Sequence, residues 1–153
     1  MMKFLVLNGP NLNLLGVREP EVYGTTTLAD IEGMVHAYAD ELGVKVYCVQ
    51  SNHEGVLIDE VQHARLEYDG IVFNPAAFTH YSYALRDAVA AIEPIPVVEV
   101  HLSDISTREA FRRTSVIEPV CIAQVKGRGP QGYLDAIDIL VKHLGRPAVP
   151  GTE

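Results

Sequence analysis

The chain has 153 residues, 48% hydrophobic and 21% charged, a composition that suits one globular domain with a sizeable core. Its net charge of −8 argues against nucleic acid as a partner, because phosphate binding needs a basic surface; small anionic substrates need only a local pocket of Arg and His. Cys48 and Cys121, each in an apolar, strand-like run without a CxxC or Cys/His partner, read as buried free thiols of a reducing compartment.

Lys3–Asn8 is a short apolar strand ending in Asn8-Gly9-Pro10. Phe4-Leu5-Val6-Leu7 is too short for a signal-peptide core or a membrane span, so a soluble cytoplasmic protein with no membrane partner is expected. The loop Asn13-Leu-Leu-Gly-Val-Arg18-Glu-Pro-Glu-Val-Tyr23-Gly follows. A turn needs only polarity and turn residues, whereas this one carries a phenol that can become a base and a cation that can make it one. Thr27–Leu42 has helical spacing, with Leu28, Ile31, Val35 and Ala39 on one face, Thr27 and Asp30 resembling a capping box, and Gly43 as the stop. Val44–Gln50 is the second strand and Glu54–Tyr68 the second helix. The third strand, Gly70–Asn74, stops at Pro75, and Tyr81–Ile92 is the third helix. Pro96–His101 is a strand, Thr107–Arg113 a short helical piece, Val120–Val125 the fifth strand and Gln131–Leu144 the last helix. Residues 1–146 form a single expected domain, with a frayed tail over 147–153.

Five apolar strands separated by helices predict a parallel sheet covered on both faces, an α/β three-layer sandwich in the flavodoxin-like order 2-1-3-4-5. Ligands of such sheets bind at the carboxyl ends of the strands. After strand one come Asn8-Gly9-Pro10-Asn11 and the Arg18/Tyr23 loop. Strand three is followed by Asn74 through His80, and strand four by His101-Leu102-Ser103-Asp104 with Arg108, Arg112 and Arg113 close behind. Lys126-Gly-Arg-Gly129 follows strand five. Only the predicted edge, strand two, offers little beyond Gln50-Ser51-Asn52. Each of these residues has an ordinary structural use alone; together they mark one rim as the site. His36, His63 and His143 fall within helices, and His53 is a weak outsider. No His/carboxylate pair has metal spacing, so neither metal nor cofactor is expected.

Gly127-Arg-Gly129-Pro-Gln-Gly132 fits GxGxxG, but it follows the last strand and no further strand brings the acidic residue a dinucleotide site requires; a tight strand-to-helix turn explains it. A phosphoacceptor receiver would want paired acids after strand one. A flavin protein would want a Ser/Thr-rich loop there. Ser103, His101 and Asp104 lack a nucleophile elbow.

The ordered set Asn8-Gly-Pro-Asn11-Leu-Asn-Leu-Leu-Gly, Arg18-Glu-Pro-Glu-Val-Tyr23-Gly, Gln50-Ser-Asn-His-Glu-Gly, Asn74-Pro, Thr79-His80, Ala84-Leu-Arg-Asp87-Ala, Glu99-Val-His101-Leu-Ser103 and Arg108-Glu-Ala-Phe-Arg112 closely resembles the type II 3-dehydroquinate dehydratases. The match runs from about residue 3 to 144. The resemblance implies elimination of water from 3-dehydroquinate through an enolate, without metal or cofactor, by a homo-oligomer, a dodecamer of trimers. It implies Tyr23 as general base, Arg18 as transition-state stabiliser, Asn11 as enolate stabiliser through an ordered water, and His101 as general acid. Leu102 and Ser103 correspond to the substrate's carboxylate site. Asn74, His80 and Arg112 correspond to further binding residues, and Asp87 to one that reaches a neighbouring subunit's site. Arg108 or Arg113 adds a second cation near Tyr23, and Gly16 and Gly24 flank a loop able to close as a lid. Glu99, two residues before His101, points to the same side and is expected to hold its imidazole. A lysine Schiff base is disfavoured, because Lys126 is the one lysine at the rim. The chain departs from the common pattern at Ala76-Ala77, where a glycine is usual, and at Tyr81, Tyr83, Asp104 and Thr114; the first two departures are expected to shift the loop from Asn74 to His80. The main alternative is a non-catalytic module for a small carboxylate, which would use Arg112 and Ser103 but not Tyr23.

Overall fold

A computed structural model describes residues 1–17 and 20–145, with the side chains of Val22, Tyr23 and Thr107 outside that description. Arg18 and the tail expected over 147–153 therefore lie outside the described residues. The strands are β1 (Lys3–Asn8), β2 (Lys45–Gln50), β3 (Gly70–Asn74), β4 (Val97–His101) and β5 (Ala123–Lys126). All pair in parallel, in the order β2-β1-β3-β4-β5. The helices are α1 (Pro20–Tyr23), α2 (Leu28–Leu42), α3 (Glu54–Glu67), α4 (Tyr83–Ala91) and α5 (Gln131–His143).

Side chains alternate across a strand, so β1 feeds two cores. Phe4 and Val6 pack with Ile31 and Val35 of α2 and with Tyr133, Ile137 and Leu140 of α5. Leu5 and Leu7 face the other way, onto Leu57 and Val61 of α3 and Leu85 and Val89 of α4. These central positions are sealed from water, whereas β2 and β5 are partly exposed, as edge strands are.

The capping box at Thr27 is complete: Asp30 N–H donates to Thr27 Oγ1 at 3.1 Å and Thr27 N–H donates to Asp30 Oδ2 at 2.9 Å. Gly43 closes α2 at φ 71°. Most other boundaries fall within two residues of those expected. Two expectations need correction. The fifth strand begins at Ala123, because Glu118–Val120 is a 3-10 turn whose N–H groups at Ile117 and Glu118 are taken by Ser115 Oγ. Cys121 consequently sits at the end of that turn and not within a strand. The single helical piece expected over Thr107–Arg113 is two 3-10 turns, Ile105–Thr107 and Ala110–Arg112, separated by Arg108 and Glu109 in extended conformations. Asp104 caps the first turn through Ser106 N–H at 2.9 Å, a local bond that competes with a continuous helix.

β1 and β3 end side by side, which gives Gly9 its reason. Its N–H donates to Asn74 O at 2.8 Å, and a Cβ there would lie 2.7 Å from the Pro75 carbonyl oxygen. Gly9→Ala is expected to destabilise the fold by about 1–3 kcal/mol, seen as a lower urea midpoint with an unchanged slope. An unchanged midpoint would contradict this packing.

Candidate active site

At the carboxyl ends of β1, β3 and β4 lies a cleft of about 180 Å³. Its lining includes Asn11, Asn74, His80, His101, Leu102, Ser103 and Arg112, seven residues expected at the site, from four separate stretches of chain. Pro10, Leu15 and Ile105 supply apolar wall, and Arg108 adds a second guanidinium. Asp87 does not line the cleft; it lies exposed on α4. Tyr23 ends the single turn of α1, and its side chain and Arg18 lie outside the described residues.

Asn11 adopts φ 70°, a left-handed conformation that Asn tolerates better than most residues. Gln50 and Asn52, at and just after the end of the edge strand, hold it there. Asn52 Oδ1 accepts the Asn11 N–H at 2.9 Å, while Gln50 Nε2 donates to Asn52 Oδ1 at 3.2 Å and to Gly9 O at 3.2 Å. A second support comes from the far helix. Tyr133 O–H donates to Asn8 Oδ1 at 2.6 Å and accepts from Asn74 Nδ2 at 3.0 Å, tying the ends of β1 and β3 together. Burial pushes the Tyr133 phenol well up, so it stays neutral and serves as a strut.

His101 closes β4 almost wholly buried. Its Nε2 lies 2.5 Å from Glu99 Oε2, as the two-residue spacing along a strand predicts. Glu99 is fully buried. Burial alone would raise its pKa, but hydrogen bonds and the charge of His101, with hydrogen bonds from Thr79 and Ser115, bring it below the usual carboxylate range. An ionised carboxylate only accepts, so His101 Nε2 carries a proton and Nδ1 is the nitrogen left for a ligand. His80 is fixed in the opposite sense. Its Nδ1 donates to Thr114 O at 2.9 Å, leaving Nε2 available. Arg112 Nε lies 2.8 Å from Glu109 Oε2, and its guanidinium lies 4.8 Å from the centre of the Phe111 ring. Gly129 N–H donates to Leu102 O at 3.0 Å, so across the trans peptide the Ser103 N–H points away from that turn.

The positions that depart from the common pattern have the following surroundings. Ala76 holds φ 52°, the strained conformation that favours glycine, and its N–H donates to Asn74 Oδ1 at 3.0 Å. Tyr81 and Tyr83 point outward, 59% and 67% exposed, and do not fill the cleft. Asp104 caps its turn and lies 3.9 Å from Lys126 Nζ. Thr114 serves through its carbonyl, which any residue supplies. Gly127 and Gly129, at φ 74° and 56°, form the tight turn from β5 into α5. Among the described residues no group of three His, Cys, Asp or Glu is placed to hold a metal ion, and no helix is long and apolar enough to cross a membrane.

Glu99, Thr79, Ser115, Tyr133 and Asn52 complete the site. Strand periodicity points to Glu99, and Thr79 and Asn52 stand in the stretches that follow strands three and two; Ser115 and Tyr133 come from distant segments and carry no local signal.

The arrangement can bind an anion against Arg112 and pass a proton through His101. Residues 2–141 match the family model described as Dehydroquinase class II. The chain is 57% identical over 137 residues to the 3-dehydroquinate dehydratase of Anoxybacillus flavithermus, covering 90% of this chain and 92% of that one. It is 55% identical over 144 residues to the Ruegeria pomeroyi 3-dehydroquinate dehydratase, covering 94% and 96%. The crystal structure of type II dehydroquinase from Butyrivibrio crossotus superposes with a TM-score of 0.89 at 51% identity, covering 91% of this chain and 97% of that one.

Proposed function

The chain belongs to the class II dehydroquinase family and is a 3-dehydroquinate dehydratase, a hydro-lyase of the shikimate pathway, and from that premise we propose that Tyr23 is its general base and His101 its general acid. The observation that carries this division is the buried Glu99–His101 pair beside the cleft: the carboxylate holds the imidazole at Nε2, so that the doubly protonated ring has its Nδ1–H left to donate.

The chemistry proceeds in two steps. Tyr23, as phenolate, takes the proton from the carbon next to the ketone, and the C–H electrons pass to the ketone oxygen as an enolate. The enolate then collapses, the C–O bond of the leaving hydroxyl breaks, and His101 Nδ1–H supplies the proton that releases it as water. A free tyrosine is only about 0.1% phenolate at pH 7, and each unit by which cations lower its pKa corresponds to roughly 1.4 kcal/mol. Arg18 supplies the first positive charge. Arg108, on the cleft wall, supplies the second. Asn11, through water, stabilises the enolate oxygen. Ser103 with the backbone of Leu102 and Ser103 takes the substrate carboxylate, and Arg112, His80 and Asn74 hold the rest of the substrate.

Residues 1–146 act as one catalytic domain in the cytoplasm, in a homo-oligomer of trimers forming a dodecamer. The exposed Asp87 on α4 then serves a neighbouring subunit's cleft.

Turnover is read as ultraviolet absorbance of the conjugated enone carboxylate product. Arg112→Ala is expected to raise KM for 3-dehydroquinate about tenfold or more, with a smaller loss in kcat, because a charge-assisted contact made in both ground and transition states is removed. An unchanged KM would remove Arg112 from the binding site.

A further inference from the structure

One short segment supports both imidazoles of the cleft from behind. The Thr114 carbonyl fixes His80 Nδ1, and the next residue, Ser115, sets its hydroxyl 2.9 and 2.8 Å from the two oxygens of Glu99. We propose that Ser115, acting with Thr79, is a positioning residue for the dehydration, holding the carboxylate against which His101 is set. The proposal rests on His101 as the acid.

Counting protons leaves Ser115 one arrangement. Its Oγ accepts from Ile117 N–H at 3.2 Å and Glu118 N–H at 3.0 Å, which occupies both lone pairs. Its single proton is therefore directed at Glu99. Thr79 Oγ1, 2.7 Å from Ser115 Oγ, gives its own proton to Glu99 Oε2. The Thr79 backbone is fixed in turn, because Val116 N–H donates to Thr79 O at 2.7 Å. Two turns far apart in the chain are thus joined behind one carboxylate.

Glu99 is sealed from solvent, so water cannot replace a lost donor. The groups facing it are His101 on its own strand, the hydroxyls of Thr79 and Ser115, and Cys121 beyond the 3-10 turn. Burial, Glu99 and Glu118 push the Cys121 thiol well up, so it adds no charge. Of these groups His101 alone can carry positive charge. Removing one hydroxyl lets burial dominate: the Glu99 pKa rises, and the proton shared by the pair moves from the imidazole toward the carboxyl. Because Glu99 titrates below its usual range in the intact site, its loss of charge moves toward higher pH, a change sensed directly at the His101 nitrogens, whereas the acid limb of kcat also carries the titration of Tyr23.

The test is kcat together with the pH titration of the His101 imidazole nitrogens by ¹⁵N NMR for the wild-type enzyme, Ser115→Ala, Thr79→Val and Ser115→Thr, with His101→Asn alongside to assign the signals. Ser115→Ala and Thr79→Val are each expected to move the Glu99 titration sensed at those nitrogens up by about one pH unit and to lower kcat. Ser115→Thr, which keeps the hydroxyl, is expected to restore the wild-type profile. Should Ser115→Ala fail to fold, Thr79→Val decides, since it is near-isosteric and leaves the Ser115 turn intact. A lower kcat with an unmoved titration at the His101 nitrogens in Thr79→Val would overturn the proposal and leave these hydroxyls merely structural. Wild-type turnover in His101→Asn would instead overturn the assignment of the acid, whatever the other profiles show.

Discussion

Tyr23→Phe is expected to lower turnover of 3-dehydroquinate by about 10²–10⁴-fold, the usual span for a lost general acid or base, while substrate affinity stays nearly unchanged. Phenylalanine keeps the ring and its apolar contacts and removes only the oxygen that accepts the proton. The loss belongs in kcat, because the interaction is made in the transition state and not in the ground state. The chain itself shows what burial does to a tyrosine. Tyr133, fully buried against Asn8 and Asn74, has its pKa driven up and remains a neutral phenol. Tyr23 needs the opposite environment, and Arg18 five residues before it is the nearest source along the chain. Retained affinity with collapsed turnover separates a catalyst from a module that only binds a small carboxylate. An unchanged rate would remove Tyr23 from the chemistry.

The second large effect is expected at His101. His101→Asn should lower kcat by about 10²–10⁴-fold, since the leaving hydroxyl then departs without a proton. Asparagine is the informative replacement because it removes the ionisable ring while keeping a polar amide near the position of Nδ1, although that amide stops short of Nε2 and leaves Glu99 to Thr79 and Ser115. Alanine would remove the polar side chain as well and mix a larger folding defect with the chemical one. Turnover of His101→Asn is therefore compared at equal folded fraction, set by thermal unfolding.

Much of this architecture is written locally. Thr27 and Asp30 announce the start of α2 three residues apart, Gly43 ends it, and Pro75 stops β3. The alternation of Phe4 and Val6 with Leu5 and Leu7 is the two-sided sheet in miniature. What was misjudged depends on tertiary partners. Val120 reads as strand by propensity, yet Ser115 Oγ captures the N–H groups of Ile117 and Glu118 and holds Glu118–Val120 in a turn. The stretch after β4 looks helical, but Asp104 and Ser106 satisfy one another locally and break it into two turns.

The site divides in the same way. Residues at strand ends could be named from topology, because the parallel sheet brings those ends to one rim. Glu99 followed from its two-residue spacing to His101. Tyr133 could not be named, as it reaches Asn8 across 125 positions of chain. Nor could Ser115, which acts on a residue that only the folded chain brings near; Asn52 is visible after strand two, but its hold on Asn11 depends on the fold.

The division of labour between Tyr23 and His101 is tested most directly by deuterium exchange into 3-dehydroquinate recovered from D₂O. With His101→Asn the base still works while elimination stalls, so deuterium should enter at the carbon next to the ketone faster than without protein, with little product formed. With Tyr23→Phe no such enrichment is expected. Exchange that persists in Tyr23→Phe and is absent in His101→Asn would contradict the account and reverse the two roles.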